Sequence, residues 1–442
     1  MVDSSLIASL LTTDNPFNST DEVVAWIERR NRDVEVRVEE VPFADLKGWH
    51  FDEETGNLVH DSGKFFSIVG IDVRTNAGYE QHWTQPIINQ PEVGYLGIIC
   101  KEFDGVLYFL LQAKIEPGNV NCVQLSPTLQ ATRSNYTQVH GGKKPAYLEY
   151  FQNVKPDHVV LDQLQSEQGS RFLRKRNRNI IIRVDDDIDI GDDFRWLTLG
   201  QIKELLRRDN TVNMDTRSVL SGLRVDEEAQ EGRAVLSIDD VLHRLSALKS
   251  IYELETEKIP LKDVRDWITT QTEIVRSDRK FFRVLGVKVT ISNREVSSWC
   301  QPIVQPMQEG LCILFKKRIN GVEHFLLQSK VECGNFDVVE LAPTIQCMTG
   351  DYRTEVPERR PRYLVDYLEG RIPGVRLLET MQSEEGGRFY HEQNRNIVYE
   401  VDKSVDLPVD NNFFWLTLQQ IKEFLRFNNY LNIQVRSLIS ML

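Results

Sequence analysis

Short runs of β-branched and aromatic residues, punctuated by glycine, proline and acids, recur along the chain at long spacing. Residues 65–73, 95–100 and 106–112 carry the apolar density of strands, and 281–289, 311–315 and 322–328 repeat it. Gly105 and Gly321 fall where tight hairpin turns would join the last two strands of each set. Ahead of each set, Thr20-Asp21-Glu22 and Ser237-Ile238-Asp239-Asp240 lead into apolar stripes and read as helix starts. Between helix and strands, Val41-Pro42-Phe43 with Trp49 matches Ile259-Pro260-Leu261 with Trp267. Each set is followed by a helix near 147–151 or 363–368 and a strand over 179–184 or 396–401. A last helix opens on the capping boxes Thr198 to Gln201 and Thr417 to Gln420.

The recurrence is a duplication. Residues 64–140 align without a gap onto 280–356, and 27 of those 77 positions are identical. The register then shifts by one residue, so that Ser166-Glu167-Gln168-Gly169-Ser170-Arg171-Phe172 meets Ser383-Glu384-Glu385-Gly386-Gly387-Arg388-Phe389. Further on, Trp196-Leu197-Thr198-Leu199 meets Trp415-Leu416-Thr417-Leu418. A period this long marks a repeated domain and not a solenoid. The pattern predicts an α/β (mixed α+β) fold: a tandem duplication with mixed sheets flanked by helices. The first repeat covers 1–225 and the second 236–442, each with its helical lead-in and its own separately packed core. The charged, apolar-poor stretch 224–232 reads as the linker.

Composition narrows the class. Hydrophobic residues are 41% and charged residues 27% of 442, the balance of a soluble protein long enough for two domains. A net charge of −13 argues against nucleic acid or an anionic membrane as partner. No apolar run approaches the roughly 18 residues of a membrane span, and the first residues lack a signal peptide's pattern. The six cysteines form no C-x-x-C pair and occupy different aligned positions in the two copies, so neither a disulfide framework nor a structural zinc site is expected. A reduced, cytoplasmic protein is the expectation.

No G-x-G-x-x-G follows a strand, and no P-loop, H-E-x-x-H or P-C-x-x-C motif is present. Three polar groupings remain. Gln112, Lys114 and Glu116, with Gly118 and Asn119, recur as Gln328, Lys330, Glu332, Gly334 and Asn335. Alternate spacing puts the three side chains on one strand face, either solvated or lining a cleft. The run 126–137 gathers hydroxyls, an amide, Arg133 and Tyr136 without an acid, which suits phosphate and sugar or equally an ordered loop stitched by its own bonds. The third, Glu384, Glu385, Arg388, Tyr390 and His391, holds general acids, bases and anion stabilisers within a few residues. The first copy lacks one acid, the Tyr and the His, and has Arg174 and Lys175 instead. A Glu–Arg pair bracing the turn explains the shared part equally well. Trp83 and Trp299, each just before Gln-Pro, could stack a nucleobase or fill a core.

The runs Trp83-x-Gln85-Pro86-Ile87-Ile88, Gln112-Ala113-Lys114-x-Glu116-Pro117-Gly118-Asn119, Gln124-Leu125-Ser126-Pro127-Thr128 and Ser383 to His391 together resemble the NDP-hexose 2,3-dehydratases of deoxysugar biosynthesis. The resemblance implies a homodimer, two Nudix-like domains per subunit, and dTDP-4-keto-6-deoxyglucose as substrate. It implies sugar-nucleotide sites near the domain and subunit interfaces, with room for one copy to be vestigial. The Nudix catalytic box is absent, so the likeness reaches the scaffold and not the hydrolysis, and neither a metal nor another cofactor follows from it. On such a substrate the C4 ketone acidifies the C3 proton, and the C2 hydroxyl needs an acid to leave. Glu384 or Glu385 and His391 would share those two roles, with Arg388 and Tyr390 holding negative charge. Lys114 or Lys330, Glu116, Arg133, Tyr136 and a stacking Trp83 or Trp299 would hold the dTDP-sugar. A sugar-nucleotide hydrolase on a Nudix scaffold and a non-catalytic nucleotide-sugar-binding protein are the alternatives.

Overall fold

Both hairpins form where the glycines fall. Phe103 pairs with Val106 and Ile319 with Val322, leaving the two-residue turns Asp104-Gly105 and Asn320-Gly321. All four turn residues take positive φ (48°, 78°, 54° and 81°), the backbone that a two-residue turn between right-twisted strands requires. The computed structural model describes residues 4–132, 144–225, 234–291, 298–349 and 355–442. Most of the expected linker therefore lies outside the described residues. Ser19, Ser237, Thr198 and Thr417 each cap a helix, and each donates its own backbone N–H to the side chain of the residue three further on. The first cap is Ser19 and not Thr20, because the helix Thr20–Asp33 starts one residue earlier than its acids alone indicate. Among the described residues no helix is long and apolar enough to cross a membrane.

The strands build two kinds of sheet, each present twice. A seven-stranded mixed sheet runs Val159–Ser166, Arg176–Arg183, Gly94–Phe103, Val106–Ile115, Phe194–Thr198 in space, with Val123–Ser126 and Leu129–Ala131 attached. Only Arg176–Arg183 against Gly94–Phe103 is parallel. The second half repeats this sheet around Gly310–Ile319 and Val322–Lys330. Each seven-stranded sheet is thus the work of one repeat.

The five-stranded sheets are not. Val36–Val41 of the first half pairs along its whole length with Phe282–Ile291 of the second, from Val36 opposite Ile291 to Val41 opposite Gly286. In return Leu254–Ile259 pairs with Ser67–Thr75, from Leu254 opposite Thr75 to Ile259 opposite Gly70. This corrects the expectation of two separately packed halves: each donates a strand to the other's sheet. Gly70 and Gly286 show why both copies carry glycine there. A Cβ on Gly70 would lie 2.5 Å from Val264 Cγ2 and 3.0 Å from Ile259 O, and one on Gly286 2.9 Å from Leu46 Cδ1 and 3.0 Å from Val41 O. The donated strand and the residues after it need that space. The core is shared as well, since one hydrophobic cluster contains Leu96, Phe109 and Leu197 together with Leu314, Phe325 and Leu416. The helices Met214–Leu220 and Ile433–Ser440 pack against each other across the join.

An expected result follows for the severed chain. Residues 1–225 and 234–442 expressed apart should each lack a sharp melting transition, because each half is missing one strand and exposes the shared core. Co-expression should restore a single transition. Two independent, reversible transitions from the separate pieces in calorimetry would contradict the exchange.

Candidate active site

The glycine turn after each hairpin strand docks into the acid turn of the other half. Gly118 N donates to Gly386 O (2.8 Å) and His391 N to Gly118 O (2.7 Å). Across the pseudo-twofold relation, Gly334 N donates to Gly169 O (2.6 Å) and Arg174 N to Gly334 O (2.8 Å). Phe172 and Phe389 meet edge to face between the turns at 5.7 Å. Each acid turn is also pinned by its own half: Ile88 N donates to Arg171 O, and Val304 N to Arg388 O, both at 2.9 Å. Gln85 Nε2 reaches Ser170 O (3.2 Å) and Gln301 Nε2 reaches Gly387 O (2.8 Å). The result is two composite polar sites, each assembled from both repeats.

The first composite joins Lys114, Glu116 and Asn119 to Glu385 and Arg388. Glu116 is 3% exposed, so the strand face is not solvated; it lines the interior. Its carboxylate accepts from Gln130 Nε2 (2.7 Å) and Asn119 Nδ2 (3.3 Å), and Lys114 Nζ stands 3.6 Å away. Arg388 lies flat over the Phe66 ring at 4.1 Å and donates to Gln90 Oε1 (3.2 Å). Glu385 is held above the ordinary carboxyl range by burial, against the pull of Arg388, while Glu116 pushes it up and Lys175 and Lys114 draw it down. Glu167 adds a further acid: burial and then the charge of Glu385 raise it, and Asn177 Nδ2 donates to it (2.6 Å). Lys175 is buried, donates to Glu92 O, and is lowered by that burial although Glu167, Glu385 and Glu92 oppose the shift. Lys114, Glu385 and Arg388 are only half-buried and form the open side. Among the described residues, Asn119 Oδ1 is buried without a partner at this site, and both amide atoms of Asn335 are likewise unpartnered at its counterpart.

The second composite places Lys330, Glu332 and Asn335 beside Gln168 and Arg171. Gln346 Nε2 donates to Glu332 Oε1 (3.2 Å), as Gln130 does to Glu116. An amide, Gln168, stands where the first composite has Glu385, and its Nε2 donates to Glu384 Oε2.

The structure therefore divides the residues that the sequence grouped. Glu385 and Arg388 enter the first composite with Lys114 and Glu116. Glu384 turns to the other side, between Gln168, Asn394 and the Arg217 charge, and is pushed up to about 8 by burial first and Glu392 second. Tyr390 and His391 stack on each other at 4.2 Å outside the acid cluster. His391 is exposed, with φ of 53°, and its counterpart Arg174 is exposed with φ of 47°, so the position is shaped by the turn. Lys330 belongs to the second composite, donating to Gln346 O at 3.4 Å. Trp83 Nε1 and Trp299 Nε1 each donate to the Gln two residues on (2.9 Å), orienting Gln85 and Gln301 toward the acid turns, while their rings border apolar clusters. Arg133 and Tyr136 lie outside the described residues. Lys175, the base that the first copy carries beside Arg174, is an interior member of the acid cluster. Its signal was the exchange of Glu392 for a base at the aligned position. A cavity of about 690 Å³, lined by residues such as Asn31, Val36, Cys122 and Arg208, shares no residue with this cluster.

Two buried acids tie this interior to pH. Glu384 (about 8) and Glu340 (about 7, raised by burial while Ser166 Oγ donates at 2.9 Å) bind protons more tightly folded than at their ordinary 4.5. The stability they provide is whole below 4.5 and is lost as pH rises through 7 to 8, by about 1.4 kcal/mol per pH unit for each proton. Urea midpoints should fall over that window, and Glu384→Gln should flatten the fall. An unchanged slope in that variant would contradict the assignment.

A family model described as NDP-hexose 2,3-dehydratase matches the chain twice, over residues 20–223 and 238–442. A dTDP-4-dehydro-6-deoxy-alpha-D-glucopyranose 2,3-dehydratase of Saccharopolyspora spinosa is 43% identical over 99% of this chain and 94% of its own length. Proteins of the same description from Amycolatopsis orientalis and Streptomyces violaceoruber are 46% and 43% identical, over 98% and 94% of this chain and 92% and 95% of their own lengths. The chain, matched over both repeats, belongs to the NDP-hexose 2,3-dehydratase family.

Proposed function

We propose that this protein removes water across C2 and C3 of dTDP-4-keto-6-deoxyglucose, giving the 3,4-diketo-2,6-dideoxy sugar nucleotide, and that it does so in the first composite. The observation that carries the site assignment is Glu385, a half-buried carboxyl facing Lys114, Lys175 and Arg388, where the second composite has the amide Gln168. The names of the relatives support the substrate. Glu385 takes the C3 proton, which the neighbouring C4 ketone acidifies. The cations Lys114 and Arg388 offset the charge that gathers on the C4 oxygen, and a positioned base of this kind contributes about 10²–10⁴ in rate. A carboxyl held above its ordinary range is the stronger base for that task. The reading includes a homodimer, supported by Val375 and Leu377, which are 58% and 42% exposed on the edge strand Gly374–Ser383.

Incubation with dTDP-4-keto-6-deoxyglucose should yield the dehydrated product. Glu385→Gln should lower turnover at least about a hundredfold while nucleotide-sugar affinity stays within a few-fold. A wild-type chain that binds the sugar nucleotide and leaves it intact would instead be a binding protein.

A further inference from the structure

The helix Met214–Leu220 carries none of the residues that the sequence singled out, yet it is anchored to the first composite from both repeats. Asn213 caps it and donates to Gln130 Oε1 (3.2 Å), and Gln130 Nε2 in turn donates to Glu116. Thr216 Oγ1 donates to Leu125 O (3.1 Å). Arg217 reaches Ser383 O, the residue before Glu384 and Glu385. Asp215 sits among these anchors, 3% exposed, and among the described residues its carboxyl has no hydrogen-bond partner. The charges it faces are Glu385, Glu167 and Glu116, and, with opposite sign, Lys114, Arg217 and Arg436.

Such a carboxyl is costly to bury, since no hydrogen bond replaces its lost hydration. The other repeat shows that the position does not require one: its counterpart is Gln434. The counterpart of Glu385 is also an amide, Gln168. Two facing positions are thus acids in one composite and amides in the other, and amides hydrogen-bond but do not transfer protons.

We propose that Asp215 is the general acid that protonates the departing C2 hydroxyl, working opposite Glu385; this rests on the dehydratase reading above. Burial and the three facing acids raise its carboxyl well above the usual range, against the pull of Lys114, which favours the protonated form that a general acid needs. Its place in the first turn of the helix favours the ionised form and is outweighed. Glu385 removes the C3 proton, and the C3–H electron pair becomes the C3–C4 π bond of an enolate whose charge sits on the C4 oxygen. As the C4 carbonyl re-forms, that pair moves between C2 and C3. The C2–O bond breaks with its pair going to oxygen, which takes the proton of Asp215 and leaves as water. Glu385 then gives its proton to water and Asp215 takes one back, which resets both. Nothing external is consumed.

The test uses full-length Asp215→Asn with dTDP-4-keto-6-deoxyglucose in deuterated water. Elimination should fall at least a hundredfold, while deuterium still enters C3 of the recovered substrate and binding measured by calorimetry persists. Asp215→Glu should recover at least tenfold over Asp215→Asn. Asp215→Gln copies the residue of the other repeat and serves if the Asn variant folds poorly. Wild-type turnover in the amide variants, or joint loss of C3 exchange and elimination in a folded variant, overturns the assignment. If the wild-type chain neither exchanges nor eliminates, the dehydratase reading itself fails.

Discussion

Gly118→Ala should destabilise the protein by more than about 3 kcal/mol, the range of the most damaging single substitutions. The added Cβ would be driven into the carbonyl oxygen of Phe389 and come within 2.6 Å of Gly386 O. Both obstacles are backbone, so no side chain can swing away. The same step breaks the register of the bonds from Gly118 N to Gly386 O and from His391 N to Gly118 O, which close the first composite. Gly334→Ala meets Phe172 O and Gly169 O in the same way. Gly105→Ala is the control: at φ of 78° it is strained, but nothing lies within 4 Å, and it should cost only about 1 kcal/mol. Urea unfolding of the three variants reads the difference directly. Equal losses at Gly118 and Gly105 would mean that the two turns do not dock.

Arg217→Met is expected to be nearly as harmful to stability and worse for turnover. Arg217 and Arg436 are 0% and 1% exposed, and each grips the backbone before the other half's acids. Arg217 donates to Ser383 O and Ser437 Oγ (2.6 Å), and Arg436 to Ser166 O and Ser218 Oγ (3.1 Å). Burial pushes both guanidiniums down to about 10, so both remain charged at neutral pH against Glu384, Asp215, Glu167 and Glu340. Removing one leaves those carbonyls and acids unanswered, at a cost of about 3–5 kcal/mol. It also frees the turn that aims Glu385, and a shift of about 1 Å at a catalytic group can cost 10²-fold in rate. Arg217→Lys should keep part of the stability, because one ammonium cannot serve two divergent acceptors. Stability, kcat and KM measured together decide the matter: a variant with lost stability and unchanged kcat would show that the clamp does not position the acid.

The sequence was legible where its signals are local. Asn320-Gly321 and Asp104-Gly105 specify their turns, and Thr198 with Gln201 specifies its cap, whatever lies elsewhere in the fold. The strand exchange was not legible, because Val36–Val41 and Leu254–Ile259 have the same apolar alternation whichever sheet receives them. Gly70 and Gly286 betray only that something approaches closely. Lys114, Glu116 and Arg388 could be picked out because polar residues at matched places in both copies need a common reason, and Glu385 because the first copy has an amide there. Glu384 and Glu385 were inseparable on paper, and only the fold sends them to opposite sides of the junction. Asp215 was missed for a related reason: in a helix buried on all its residues, one acid reads as a cap-turn charge until the facing acids are known.

The exchanged strands also bear on how the chain is made. Ser67–Thr75 waits for Leu254–Ile259, about 180 residues downstream. At roughly 5–20 residues per second, synthesis leaves that sheet edge open for on the order of ten to forty seconds. An unpaired edge is a template for any matching strand, and the neighbouring nascent chain on the same message offers an identical one. Soluble yield should therefore depend on ribosome spacing as well as on the stability of the finished protein.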